Sequence, residues 1–184
     1  MKPTEILMEE HRKIEQVLEA LEERARAIQG GEPIDPHWAG DALRFIREFA
    51  DKCHHAKEED QLFPMMEQRG FPAQMGPIAV MLHEHEEGRA CVVAMEDAAA
   101  DPQAEGASER FVRAARSYAT LLRGHIMKED QVLYPMADSA FSETDQEELA
   151  ERFRKVEREQ YPQERVRELH ALADRVIAGA KATG

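Results

Sequence analysis

Residues 53–64 read CHHAKEEDQLFP and residues 124–135 read GHIMKEDQVLYP. Laid side by side without a gap, they match His54 with His125, Lys57 with Lys128, Glu58 with Glu129, Leu62 with Leu133 and Pro64 with Pro135. Glu59 falls opposite Asp130, and Phe63 opposite Tyr134. Each stretch sets a histidine and a glutamate four residues apart at the mouth of an apolar segment. On a helix that spacing projects both side chains from one face. The chain builds one polar device twice.

Around these stretches the apolar residues recur at three-and-four spacing, which predicts helices. The first runs from about Pro3 to Gln29, with Leu7, Ile14, Leu18, Leu21 and Ala25 on one stripe. After GGEPIDP, a second covers roughly His37 to Gln68, with a stripe at 43, 46, 50, 54, 58 and 62. A third spans Pro77 to about Ala98, carrying Ile78, Met81, Val92 and Met95. The fourth runs from about Glu109 to Ala137, with its seam at 111, 115, 118, 122, 125, 129, 132 and 136. TDQE at 144–147 reads as a capping box opening a fifth helix, and Pro162 separates a sixth. No segment alternates with period two. The expected fold is therefore all-α: an up-down-up-down four-helix bundle over residues 1–140. Residues 141–184 add two amphipathic helices along one side.

Composition narrows the function. The chain has 184 residues, enough for one domain with a real core, and a formal net charge of -13. Such acidity argues against a nucleic-acid partner, which needs a basic face. No apolar run approaches the roughly 20 residues of a membrane span, and MKPTEILMEEH lacks the apolar core of a signal peptide. Two cysteines, Cys53 and Cys91, make no disulfide framework. A cytoplasmic protein is expected.

The polar groups on the apolar stripes carry the chemistry. His11 lies between Leu7 and Ile14, His54 and Glu58 lie on the second stripe, His85 continues the third, and His125 and Glu129 lie on the fourth. His11 is about eighteen residues from the end of its helix and His54 about seventeen from the start of the next. At about 1.5 Å per residue the two meet at one depth in an antiparallel hairpin. His85 and His125 match in the same way across their own loop. Four imidazoles and two carboxylates buried without partners would cost several kcal/mol. A carboxylate can bridge two cations and imidazole suits iron, zinc and copper. The arithmetic fits two metal ions, three donors from each half, with both glutamates bridging.

EEH11RKI, H54HAKE58E with LFP, HEH85EEGR and H125IMKE129D with LYP together resemble the hemerythrin-like (HHE cation-binding) family of non-haem di-iron four-helix bundles. The match covers roughly residues 1–140. The ferritin-like alternative needs Glu-x-x-His pairs, which these seams lack. By resemblance, His11, His54, Glu58, His85, His125 and Glu129 hold two Fe ions under an oxo or hydroxo bridge, with Zn or Mn as substitutes. The oxygen-carrying members place a further histidine four residues before the one matching His85, and here that position is Met81. They also place a carboxylate five residues after the one matching His125. Asp130 stands there but points about 140° from His125, whereas Glu129 lies about 40° away. The pattern is closer to four-histidine, two-glutamate members linked to nitric-oxide stress, iron-centre repair and iron sensing. The resemblance implies reaction with small diatomic ligands (O2, NO) or peroxide, with an iron- or oxygen-sensing module as the alternative. A homodimer through the carboxy-terminal helices is a further expectation.

The remaining candidates rank lower. His55 has the same spacing to Glu59 that His54 has to Glu58, but the repeat aligns His54 with His125, so His54 is the expected ligand and His55 lies off the stripe. His83 lies roughly 200° from His85 and is expected at the surface. Glu15 reads as a flanking surface acid. Tyr118, two turns before His125, is expected in the core or at a hydrogen bond to a bound ligand. The two cysteines are expected as small buried fillers.

Overall fold

The structure, a computed structural model, describes residues 1–181 and is all-α, with no strand among the described residues. Helix α1 spans Pro3–Gln29; Pro3 at its first position suits the helical φ, and Glu5 takes the Lys2 amide at 2.7 Å. The second bundle helix runs from α2 (Pro36–Phe45) to α3 (Phe63–Gln68). Its start is set by Asp35, whose carboxylate accepts from the His37 and Trp38 amides. Helix α4 (Gly76–Ala100) is the third, and α5 (Ala107–Lys128) continues into α6 (Tyr134–Ala140) as the fourth. Together they form the up-down-up-down bundle.

The second and fourth helices are not uniform. Ile46–His55, Glu58–Leu62 and Glu129–Leu133 are wound as π-helix, with i→i+5 hydrogen bonds. Such turns are rare, occur inside α-helices, and often mark functional sites. Each adds a residue to a turn and so advances every later side chain around the axis. That corrects the seam expected on the fourth helix: Val132 is 49% exposed, and Leu133, Tyr134 and Ala137 are buried in its place. A strict three-four alternation holds only up to Glu129.

Two carboxy-terminal helices follow. Helix α7 (Glu143–Gln160) opens two residues earlier than expected: Ser142 accepts from the Asp145 amide, and Asp145 accepts the Ser142 amide in return. Helix α8 (Gln163–Ala180) lies against α1 and α2 and buries Leu169, Leu172, Ala173 and Val176 in the bundle core. Trp38 donates its indole N–H to the Val176 carbonyl at 2.9 Å. A Cβ at Gly179 would lie 3.0 Å from the Trp38 ring, so any larger residue there would push the ring or α8 aside by a few tenths of an ångström.

The core falls into two apolar clusters. One holds Ile14, Leu18, Phe49, Ala50, Leu122 and Ile126; the other holds Leu7, Leu62, Phe63, Met81, Leu133 and Tyr134. At about 1.5–3 kcal/mol per fully buried large apolar side chain, these clusters are what hold the helices together. On every bundle helix the inward polar residues fall between them. The site is a buried polar layer between two apolar clusters.

Candidate metal centre

The six residues expected as ligands converge in that layer, and all six are buried. His11 Nε2 and His54 Nε2 are 3.0 Å apart, as are His85 Nε2 and His125 Nε2. Glu129 spans the two pairs, with one oxygen 3.2 Å from His11 Nε2 and the other 3.1 Å from His125 Nε2. Glu58 turns a single oxygen toward both, 3.7 Å from His54 Nε2 and 3.5 Å from His85 Nε2. Its other oxygen accepts the Tyr134 hydroxyl at 2.6 Å.

Every one of the four imidazoles is gripped at its far nitrogen by a carboxylate from another helix. Nδ1–H of His11 donates to Asp130 at 2.7 Å, that of His54 to Glu10 at 2.9 Å, that of His85 to Glu59 at 2.6 Å, and that of His125 to Glu84 at 3.0 Å. Each carboxylate is the sequence neighbour of an inward residue, so one turn of helix serves its own site and its neighbour's. A carboxylate on Nδ1–H fixes the ring's orientation and makes Nε2 a better donor, as histidines that bind metal require.

Whether cations fit here can be judged from the atoms left without partners. Two Nε2 lone pairs at 3.0 Å repel unless a proton or cation lies between them. That separation is also what two donors about 2.1 Å from one ion have at a right angle. One Glu58 oxygen and both Glu129 oxygens are buried with no hydrogen-bond partner. Burial and the nearby Glu129 hold the Glu58 carboxyl well above the usual range. Burial would raise Glu129 too, but His125 and His11 hold it well below. A dry site that cannot ionise both carboxylates by itself calls for positive charge. The donor set fits.

Comparison with known proteins decides the family. The model of the Hemerythrin HHE cation binding domain matches residues 2–137. The chain belongs to this hemerythrin family. It is 26% identical over 160 residues to an uncharacterized protein of Mycobacterium tuberculosis H37Rv and, at the same identity, to one of Mycobacterium bovis. Each match takes in 85% of this chain but only 62% of the relative's length. It is also 35% identical over 85 residues to the iron-sulfur cluster repair protein DnrN of Neisseria gonorrhoeae, covering 44% of this chain and 54% of that protein.

In the metal layer of this hemerythrin domain, the expectation for one histidine is overturned. His55 is not off the buried face: it is 5% exposed and stacks on His85 with ring centroids 3.8 Å apart. The π-helical winding through Ile46–His55 turns two consecutive residues inward, where an α-helix would turn one. Asp130, judged to point away from His125, does so and meets His11 on the neighbouring helix instead. His83 is at the surface beside Glu87, and Glu15 pairs with Arg12. Met81 packs in the apolar cluster, Cys53 is buried, Cys91 is half-buried, and Tyr118 lines a small cavity beside His55 and His85.

The orienting carboxylates Glu10, Glu59 and Glu84 were missed, as was Tyr134. A signal for them existed: an acid next to an inward residue at all four places. The carboxylates are in turn held by cations, with Lys57 on Glu10, Lys128 on Glu84, Arg89 on Glu59 and Arg12 on Asp130. The environments of the four imidazoles differ. Burial would lower His11, but Asp130 and Glu129 outweigh it and push it up to about 9. Burial dominates at His54 and lowers it to about 4.

Proposed function

We propose that this chain holds two iron ions between His11, His54, Glu58, His85, His125 and Glu129 and acts on O2, NO or peroxide. The observation that supports this best is the layer itself. Two imidazole pairs are each locked from behind, and Glu129 offers one unpartnered oxygen to each pair. Bound iron would supply Lewis acidity and electrons to a small ligand. Glu10, Glu59, Glu84 and Asp130 keep the imidazoles aimed, and Tyr134 holds one Glu58 oxygen so that only the other faces the centre. The apolar clusters above and below exclude bulk water. Methionine at position 81 offers no hard donor for oxidised iron, which leaves room for an incoming ligand and suits reaction over reversible carriage. In this reading residues 1–140 are the working unit and 141–184 an extension. Two unpaired cysteines suit a reducing, cytoplasmic setting, and no helix among the described residues is long and apolar enough to cross a membrane. The name of the Neisseria relative is consistent with an iron-related role.

One observation favours a sensing module as the second reading. Glu157 on α7 holds Lys57, Lys57 holds Glu10, and Glu10 holds His54. Metal occupancy can therefore bear on the seating of α7. Metal analysis of protein from iron-rich medium, with anaerobic spectra before and after air and NO, tests the main reading. Near two irons per chain and spectral change with either gas are expected. A reproducible single zinc with no gas response would refute it. Metal-dependent unfolding without peroxide turnover would favour sensing.

A further inference from the structure

The two halves of the layer are not equivalent. His54 and His125 align in the repeat, and the residues after them are His55 and Ile126, both buried. One half fills this position with an apolar side chain. The other fills it with an imidazole, and burying such a group unsatisfied costs about 1–3 kcal/mol. Packing alone would be better served by isoleucine. His55 Nδ1 is buried without a hydrogen-bond partner, and the nearest carboxylate oxygen, on Asp51, is 3.5 Å away. Asp51 is already occupied by Arg89 at 2.9 Å. No carboxylate grips His55 as the other four imidazoles are gripped.

Donor atoms of His55, Glu58, His85 and His125 all lie within 4.8 Å of one another, and those of His11, His54, Glu58 and Glu129 form a matching second group. Two donors about 2.0–2.2 Å from a common ion are at most about 4.4 Å apart, so the first group is already gathered near the spread that one ion can hold. His55 also lines a cavity of about 100 Å³ with His85, Tyr118, Gly88 and Val92, which neither His11 nor His54 lines. We propose that His55 is a fifth imidazole donor, serving the His85/His125 metal position alone. It lines the cavity and belongs to that donor group at once. Because no hydrogen bond holds its Nδ1, His55 is the donor most readily displaced by a small ligand arriving through the cavity. This rests on the two-metal reading above.

The test is a titration of the metal-free protein with Co²⁺, whose absorption reports coordination number, in wild type, His55→Ala and His55→Phe. Phenylalanine keeps the stack on His85 and removes the donor. The wild type should take up two ions. Both variants should keep the tighter step and bind the second ion at least tenfold more weakly, with an altered spectrum for that step only. Two unchanged steps in both variants would overturn the proposal. So would a loss in the alanine variant that phenylalanine restores, which would mean packing. A wild type that holds fewer than two ions would overturn the two-metal reading and this inference with it.

Discussion

Glu10 and Glu84 occupy equivalent places in the two halves, and replacing each by glutamine should separate what they do for metal from what they do for the fold. Each accepts an imidazole Nδ1–H, from His54 and His125 respectively. Losing such a partner weakens metal binding about 10–100-fold, or about 1.4–2.7 kcal/mol. That loss should be similar for the two variants. Their effects on the metal-free fold should not be. Lys57, held by Glu10, is 1% exposed, and its other partner, Glu157, is 39% exposed. In Glu10→Gln a buried ammonium loses its inner carboxylate while keeping an outer one, a cost of about 1–3 kcal/mol. Lys128, held by Glu84, is 38% exposed and can turn to water. Glu84→Gln should therefore cost about 0–1 kcal/mol. Urea unfolding of the metal-free variants measures the second effect and chelator competition the first. Indistinguishable unfolding losses would refute the burial argument, and unchanged metal affinity in both would refute the orienting role.

Other outcomes are expected from the same geometry. His54→Ala should lose about one metal per chain by elemental analysis; full occupancy would show that the His11/His54 pair is not a binding position. Tyr134→Phe leaves a buried Glu58 oxygen without its donor, so the metal-free protein should lose about 1–3 kcal/mol in urea unfolding, and an unchanged midpoint would contradict the Tyr134–Glu58 bond. Metal uptake should release protons. His11, pushed up to about 9, keeps a proton at pH 7 in the metal-free state, and burial beside Glu129 shifts Glu58 toward its protonated form. Apparent affinity should therefore rise with pH and flatten above about 9. Calorimetry in buffers of different ionisation enthalpy measures the count, and binding with no proton release would contradict the assignment.

The all-α bundle and the convergence of the six residues were legible because both follow from periodicity. An inward position on each of four helices, at matched distances from the loops, leaves those side chains little choice but to meet. What periodicity could not supply was the winding. A π turn is invisible to a three-four count, which puts Val132 in the place that Leu133 takes and leaves His55 outside a face it shares with His54. The orienting carboxylates were hidden for a different reason. Each acts across a helix–helix gap, and a reading taken one helix at a time sees Glu10, Glu59, Glu84 and Asp130 only as charges beside the seam. Tyr134 was in plain view as the partner of Phe63, but its hydroxyl gains meaning only once Glu58 is known to lie beneath it.

The single tryptophan gives the molecule a built-in gauge. Trp38 sits at the start of the second bundle helix, pinned by its indole N–H to α8 and shielded by Gly179. It is roughly 24 Å along the helix from His54 at about 1.5 Å per residue. Its emission therefore reports the seating of the last helix. A probe of the metal layer and the tryptophan signal can be followed in one cuvette, and whether they change together or in sequence shows if filling the centre is felt at the far end of the molecule. A bulkier residue at position 179 would pry the helix from the ring and supply the reference spectrum for the undocked state.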